Sequence, residues 1–529
     1  MSNLIKPADN GLVIINADRD GVAGHVAGHL SQMGCQIAII TMPGSALTEI
    51  GDFAIYHLPA CNDDAISGLF EQIILDANQP LSGFIHIGST VKESYNGEAG
   101  LFPKCETDIL KTVFLSAKYF VQANRNERGF FISTVRMDGG LGLLTGENYI
   151  QGGLFGLHKS LAIEWEEQIL TKAIDVAAEL EPDVAAKYLL EEIFDHGFAN
   201  IEVGRTAEGH RLAPTLVENY VDDILDHNIV LGPDDILLVT GGGRGITAEC
   251  VIQLAKISGC GFILLGRTEL SADISWTNGE RDKTVLQHLA IAKLTDANPS
   301  EKPKPAEIDK LVNMAFHCAE VTDTLKAIKA AGGRAVYMSC DVRDSKQLRD
   351  IVEKCEKKIG AVTGFIHGAG TIADKKIQRK TAMDFDYVYG AKIEGLNACL
   401  EVLNLEKLKH LILFSSVAGY FGNGGQTDYA IANEVMNKFA FYLKKKQASC
   451  QATSINWGAW DGGSMVNESI RNIVKDSQLS LIPIEVGTMY FIEQFYEQNN
   501  PAQIIINSTN RFIRPNINNL TDIYEVSNG

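Results

Sequence analysis

Four side chains in the last third of the chain have the types needed to put a proton on a carbonyl oxygen: Lys392, Ser416, Tyr429 and Asn433. A carbonyl that accepts a hydride also needs a proton. A phenol can supply it once its high intrinsic pKa is brought down, and an ammonium nearby does so by favouring the phenolate. A serine hydroxyl can hold the developing oxyanion. Ser416 precedes Tyr429 by 13 residues, Lys392 precedes Ser416 by 24, and Asn433 lies one helical turn beyond the tyrosine. Each alone is an ordinary structural residue. As a set, on elements that converge at the carboxyl edge of a parallel sheet, they point to carbonyl reduction.

A reductant site lies upstream. The strand-like run ILLVT (236–240) leads into GGGRGIT and then a helix from about Ala248, the context a glycine-rich phosphate loop requires. Thr240, Gly241, Gly243, Arg244, Gly245 and Ile246 form this turn, and the helix behind it aims its first N–H groups at a pyrophosphate. The next strand, GFILLG (261–266), ends in Arg267 and Thr268, where an acidic residue would receive the 2′-hydroxyl of NAD. Arginine offers a planar fork for a phosphate, so the expected cofactor is NADPH. Asp341 and Val342 follow the third strand and are expected at the adenine edge, and Gly368, Ala369 and Gly370 complete the cofactor set.

The elements that position these residues alternate between short β-branched runs and helical patterns, which argues for parallel sheets with crossover helices. In the second half AVYMSCD (335–341), GFIHGAG (364–370), HLILFSS (410–416), QATSINW (451–457) and QIIIN (503–507) follow the first two strands. Seven such segments make a complete doubly wound unit. The first half reads as a decayed copy: GFIHIGS (83–89) nearly repeats GFIHGAG, FFIST (130–134) resembles LFSS (413–416), and 12–30 resembles the first strand, turn and helix. Its loop, NADRDGVA (16–23), aims Asp18 and Asp20 at what would be phosphate oxygens. Like charge there disfavours binding. The expected fold is α/β, two Rossmann-like doubly wound parallel-sheet subdomains: 1–228 structural, degenerate and without cofactor, 229–529 catalytic. A helical insertion is expected at about 270–332, where more than 60 residues separate two strands that a dozen could join.

With 529 residues, 45% of them hydrophobic and 21% charged, the chain is an ordinary globular one. Its net charge of −19 repels phosphate backbones and anionic lipid, so no nucleic acid or membrane partner is expected. The ten cysteines are scattered with no CxxC or His/Cys cluster, so no metal site is signalled and reduced thiols in the cytoplasm are expected. No apolar run approaches the roughly 18 residues of a membrane span.

TGGGRGIT, FIHGAG, AKIEG, FSSVAGYFGNGGQTDYAIAN and INWGAW together resemble the short-chain dehydrogenase/reductase family, and within it the ketoreductase domains of type I polyketide and polyunsaturated fatty acid synthases. The polyunsaturated fatty acid branch is the nearer. Ordinary family members carry the lysine one turn after the tyrosine. Here Asn433 stands there and Lys392 comes earlier, an exchange typical of synthase ketoreductases. The resemblance implies that Lys392 contacts the ribose and lowers the tyrosine pKa, Tyr429 protonates the oxygen, Ser416 orients the carbonyl and Asn433 supports the proton relay. Thr247 departs from the family's usual loop glycine.

By the same resemblance, Ile372, Ala373 and Asp374 stand at a Leu-Asp-Asp motif that goes with the D-configured 3-hydroxyl. Phe421 stands where the opposite class has tryptophan. Trp457 opens WGAWDGGSM, from which a lid at about 458–482 is expected, and it joins Asp374 and Phe421 as a substrate-side candidate. Lys375, Lys376, Arg379 and Lys380 form a basic cluster beside the expected entrance. An acidic acyl carrier protein with a phosphopantetheine-bound chain, alongside other domains of a multidomain synthase, is the partner this suggests. Two other readings stand beside the reductase: a catalytically silent synthase scaffold, and a free-standing short-chain reductase of another carbonyl.

Overall fold

The computed structural model describes residues 11–42, 50–90, 100–124, 128–166, 168–195, 200–219, 229–270, 273–462, 481–496, 500–506 and 512–519. The first half contains β1 (Leu12–Asn16), α1 (Val22–Gln32), β2 (Gln36–Thr41), β3 (Ala54–His57), α2 (Asp63–Ala77), β4 (Leu81–Ile87), α3 (Lys104–Asn124), β5 (Gly129–Val135), α4 (Gly153–Trp165), β6 (Ile169–Val176), α5 (Pro182–Phe194), β7 (Glu202–Arg205) and β8 (Arg211–Asn219). The second continues with β9 (Ile236–Thr240), α6 (Gly245–Ser258), β10 (Gly261–Gly266), α7 (Lys283–Ala297), α8 (Pro305–Ala330), β11 (Arg334–Ser339), α9 (Ser345–Ile359) and β12 (Gly364–His367). Then come α10 (Ala382–Tyr389), a π-helical turn Gly390–Glu394, α11 (Gly395–Val402), β13 (His410–Ser416), α12 (Val417–Phe421), α13 (Thr427–Lys446) and β14 (Gln451–Trp457). A helix Ile484–Glu493 precedes β15 (Gln503–Ile506) and β16 (Phe512–Asn519).

Continuous apolar runs such as LVIIN and ILLVT are buried over their whole length, as parallel strands covered on both faces must be. Helices on the outside alternate instead. In α9, Leu348, Ile351, Val352 and Cys355 form the buried stripe and Asp344 caps the start by accepting the Gln347 N–H at 2.9 Å.

The strands run β11-β10-β9-β12-β13-β14-β15 in one half and β3-β2-β1-β4-β5-β6-β7 in the other, the same parallel order twice. This is the pair of Rossmann-like units expected. What the alternation pattern did not reveal is that they share one sheet. β16 pairs antiparallel with β15 and with β8, closing sixteen strands edge to edge. The strand match inside the first half also shifts: Phe130 lies opposite Gly83 and His410 opposite Gly364. FFIST is therefore two residues out of step with LFSS, and Arg136, one past the end of β5, takes the place that Ser416 has at the end of β13.

The core crosses the junction. Phe114 of α3 packs on Phe385 of α10 at 5.2 Å, and Phe439 of α13 on Tyr149 at 5.1 Å, both between ring centroids. α13 lies against α4 so closely that a Cβ on Gly156 would meet the Ala430 carbonyl at 2.3 Å. Within the long stretch between β10 and β11, α8 is exposed at its start. It then buries Ala315, Cys318, Ala319, Val321 and Ile328, so its C-terminal part is the crossover helix. Of the segment 458–482, residues 463–480 lie outside the described residues. Its two ends are tied, with Ile482 N–H donating to the Ala459 carbonyl at 2.8 Å.

Candidate active site

β13 ends at Ser416, whose hydroxyl accepts the Ala418 N–H at 3.2 Å and so caps α12. Tyr429 sits in the first turn of α13, 8% exposed. Lys392 lies in the π-helical turn, whose extra residue per turn rotates the helix face locally, a device frequent at functional sites. Its Nζ is buried, donates to the Phe414 carbonyl at 2.9 Å and stands 5.2 Å from the centre of the Tyr429 ring. Asn433 donates from Nδ2 to the Tyr429 carbonyl at 2.7 Å, and its buried Oδ1 has no hydrogen-bond partner among the described residues. The structure thus brings the four residues together.

The electrostatics differ from the simple expectation. Burial pushes the Tyr429 phenol up, against the opposing pull of hydrogen bonds with Ser416 and Asn433. Burial also brings Lys392 down to about 7. In this geometry the ammonium is engaged by a carbonyl beside the ring, so desolvation outweighs its effect on the phenol.

His367, which the motif reading passed over, organises the floor. Its Nδ1 is 2.9 Å from Thr240 Oγ1 and its Nε2 2.8 Å from the Lys392 carbonyl. Thr240 Oγ1 in turn accepts the Ala369 N–H at 3.1 Å. One histidine therefore joins the first strand, the fourth strand and the turn that carries the lysine. Burial holds it neutral, with a pKa of about 3. Gly370 passes close enough that a Cβ would lie 3.3 Å from Lys392 Nζ.

The glycine turn fits a dinucleotide phosphate. Gly241 takes φ +72° against the Gly368 carbonyl, and Gly245, φ +66°, faces open space. Gly243 lies under Tyr337, Ile246 is half-buried, and α6 starts at Gly245 with no side-chain cap on its first amides. Thr247 is accommodated because Gly368 has no side chain: a Cβ there would sit 2.5 Å from its hydroxyl. Arg267 is exposed at the end of β10, and the Thr268 N–H donates to Tyr337 Oη at 3.1 Å. Arg244 lies 3.8 Å from Glu320 of α8, a neighbour sequence reasoning missed. Asp341 is taken up by Arg343 at 2.7 Å, and Val342 packs against Gly395.

Two candidates are corrected. Lys380 is fully buried: its Nζ is 2.6 Å from both Asp428 oxygens and 2.7 Å from the Ala373 carbonyl, so it cannot meet a partner. The basic run does not form one face, because a buried turn splits it. Trp457 is 7% exposed and packed between Phe414 and Trp460, which makes it core rather than substrate wall. Lys375, Lys376 and Arg379 remain at the surface, Lys375 paired with Asp384 at 2.8 Å. Asp374 is exposed and accepts from Gln426 Nε2 at 3.1 Å, and Phe421 is 47% exposed.

The first-half loop has turned its acids inward. Asp18 accepts the N–H groups of Val22 at 3.0 Å and Ala23 at 2.8 Å, filling the start of α1 that a phosphate would need. Asp20 accepts from the Thr90 amide at 2.7 Å. Among the described residues no helix is long and apolar enough to cross a membrane, and no His/Cys/Asp/Glu group is arranged to hold a metal.

Residues 236–462 match the family model of the KR domain. The chain is 34% identical over 395 residues to a polyunsaturated fatty acid synthase protein of Thraustochytrium sp., a match that covers 72% of this chain and only 14% of that protein. It is 30% identical over 187 residues to polyketide synthase PksN of Bacillus subtilis, covering 34% of this chain and 3% of the relative. Among solved structures, an N-terminal ketoreductase from the macrolactin assembly line superposes with a TM-score of 0.67 at 16% identity, covering 99% of this chain and 91% of the other. A ketoreductase domain from the bacillaene assembly line gives 0.62 at 18%, covering 99% and 96%. With Lys392, Ser416 and Tyr429 gathered behind a glycine-rich dinucleotide turn, this chain belongs to the ketoreductase family of polyketide and polyunsaturated fatty acid synthases, oxidoreductases of the short-chain dehydrogenase/reductase fold.

Proposed function

We propose that the chain reduces the 3-keto group of an acyl-carrier-protein-bound 3-ketoacyl thioester to the D-3-hydroxyacyl thioester, with NADPH, during polyketide or polyunsaturated fatty acid synthesis. The observation that carries this is the grouping of buried Lys392, Tyr429 and Asn433 with half-buried Ser416 in one site. When bound, NADPH supplies the hydride. Ser416 orients the carbonyl, Tyr429 gives its phenolic proton to the oxygen, and Lys392 steadies the phenolate left behind. Asn433, whose buried Oδ1 has no partner among the described residues, serves the path by which the phenol is reprotonated. Arg244 and Arg267 are the cations for the phosphates, and the open start of α6 is the cradle.

Asp374 beside the entrance, and Phe421 in place of a tryptophan, favour the D-product. Lys375, Lys376 and Arg379 are the surface offered to an acidic carrier protein. The Thraustochytrium synthase protein, in which the matched region is a small part, favours neighbouring synthase domains. We assign 1–228 as the structural unit and 229–529 as the catalytic one, with β16 reaching across to the first. The silent-scaffold reading has no use for a complete catalytic set. The test is NADPH consumption with a simple 3-ketoacyl thioester, repeated with NADH and with Tyr429→Phe, and chiral analysis of the product. Turnover that needs NADPH and Tyr429 supports the reading. NADPH binding without turnover on either free or carrier-bound thioester removes it.

A further inference from the structure

The loop that follows β12 carries Asp374, and the turn before α13 carries Gln426. Both lie in the second half and both border Tyr429, yet a first-half side chain holds them together. Glu164, near the end of α4, accepts the Ile377 N–H through Oε2 at 2.7 Å and the Gly425 N–H through Oε1 at 2.8 Å. One carboxylate is thus shared between two loops, each of its oxygens taking a backbone amide, a strong charge-assisted arrangement.

The surrounding contacts show that this is a built joint. The Lys375 N–H donates to the Gly425 carbonyl at 3.0 Å, and Gln426 donates to Asp374 at 3.1 Å. Ser160 of α4 accepts the Asn423 N–H at 3.1 Å, and Gly422, φ +75°, approaches the Lys159 backbone so closely that a Cβ would lie 2.5 Å from its carbonyl carbon. At the other end of the loop, Lys380 ties the Ala373 carbonyl to Asp428, whose Oδ1 accepts the Tyr429 N–H at 2.9 Å. The segment bearing Asp374 is therefore tied to the tyrosine, and Glu164 is the first-half carboxylate that bridges it to the turn before α13, while Asp63 accepts the Ala382 N–H at its far end at 2.7 Å.

We propose that Glu164 is a positioning residue that sets the substrate-side loop relative to Tyr429, so that the face of the ketone presented for reduction depends on a carboxylate in the half that has no active site. This rests on the ketoreductase reading above. Loss of one oxygen, as in Glu164→Gln, frees one of the two loops, and Glu164→Ala frees both.

The experiment measures kcat, KM, the enantiomer ratio of the 3-hydroxy product and NADPH affinity for wild type, Glu164→Gln and Glu164→Ala. Lys111→Ala, which removes an exposed ion pair between the halves at Asp386 (2.7 Å) without touching either loop, is the control for simple loss of an inter-half contact. Glu164→Ala is expected to lower kcat/KM and to raise the minor enantiomer, each by about tenfold or more, because displaced reacting groups lose rate steeply. Glu164→Gln falls between it and wild type, NADPH affinity holds, and Lys111→Ala changes neither readout. An unchanged enantiomer ratio and kcat/KM in the folded Glu164→Gln protein overturns the proposal. Wild type without turnover is instead a failure of the ketoreductase reading, and amide hydrogen exchange at Ile377 and Gly425 then decides the clamp: rates equal in wild type and Glu164→Gln also overturn it.

Discussion

Each half carries a tyrosine at the corresponding place in sequence beyond its fifth strand, and the two stand in different surroundings. Tyr149 follows Arg136 by the 13 residues that separate Tyr429 from Ser416, and Arg136 stands in register with Ser416. His86 pairs with Asn16 as His367 pairs with Thr240, across the same two strands. Around Tyr149, however, everything is closed. Its hydroxyl donates to the Leu101 carbonyl, its ring meets Phe102, Phe439 and Tyr442, and burial pushes the phenol far up. Arg136 turns away to the Ala178 and Leu180 carbonyls.

The helices explain why none of the lysines of α3 is directed to Tyr149. α3 is regular α-helix throughout, and its Lys104, Lys111 and Lys118 all face carboxylates at Asp108, Asp386 and Asp63. In the second half the matching helix breaks into a π-helical turn at Lys392 and delivers the ammonium inward. The phosphate ends differ in the same sense. Asp18 supplies α1 with its own anion, while the start of α6 is left open. One architecture thus becomes a site or a strut through a single helical turn, one carboxylate and one serine.

The sharpest way to break this comparison is at the tyrosines. Tyr429→Phe removes the proposed proton donor and is expected to cost about 10²–10⁴-fold in kcat, whereas Tyr149→Phe is expected to leave turnover intact; steady-state kinetics on both variants checks the contrast. Next in size is cofactor choice. Removing a charged hydrogen-bond partner of a phosphate costs about 1.5–3 kcal/mol, so Arg267→Ala is expected to narrow the NADPH-over-NADH preference by about tenfold to a hundredfold, read from kcat/KM with each.

A smaller effect concerns pH. Burial lowers Lys392 to about 7, so the free enzyme loses that charge as pH rises through this value. The kcat/KM profile is therefore expected to fall on its alkaline side through about 7, and a flat profile to pH ~9 would count against Lys392 acting as the ammonium. The smallest effect belongs to the plugged loop. Asp18→Ala strips three backbone amides of their acceptor, two of them at the start of α1, and a stability loss of about 1–2 kcal/mol with unchanged kcat is expected from thermal melts and kinetics.

Much of this was readable from residue order. Apolar runs bounded by glycine marked the parallel strands, since a strand covered on both faces must be apolar throughout. The glycine turn and the Lys392, Ser416, Tyr429 spacing pointed to the ketoreductase family, because these constraints are local or depend on a few residue types. The basic run 375–380 was misleading for a physical reason: a 3₁₀ turn at Ile377–Arg379 sends Lys380 inward to Asp428, and charge in sequence carries no sign of the direction a side chain takes. Trp457 failed likewise, its burial being set by Phe414 and Trp460 from neighbouring segments.

The sequence by itself determined the two α/β units, the glycine-rich turn and the residue types proposed for catalysis. Those follow from periodicity, glycine conformational freedom and the chemistry of phenol, ammonium and hydroxyl. Only the tertiary structure decided that β8 and β16 fuse the units into one sheet, that Asp18 caps its own helix, and that Glu164 reaches across to the active-site loops. The first and last of these join residues far apart in the chain and depend on packing that no local pattern encodes; the Asp18 cap spans only four and five residues, but residue type alone does not say which way its carboxylate turns.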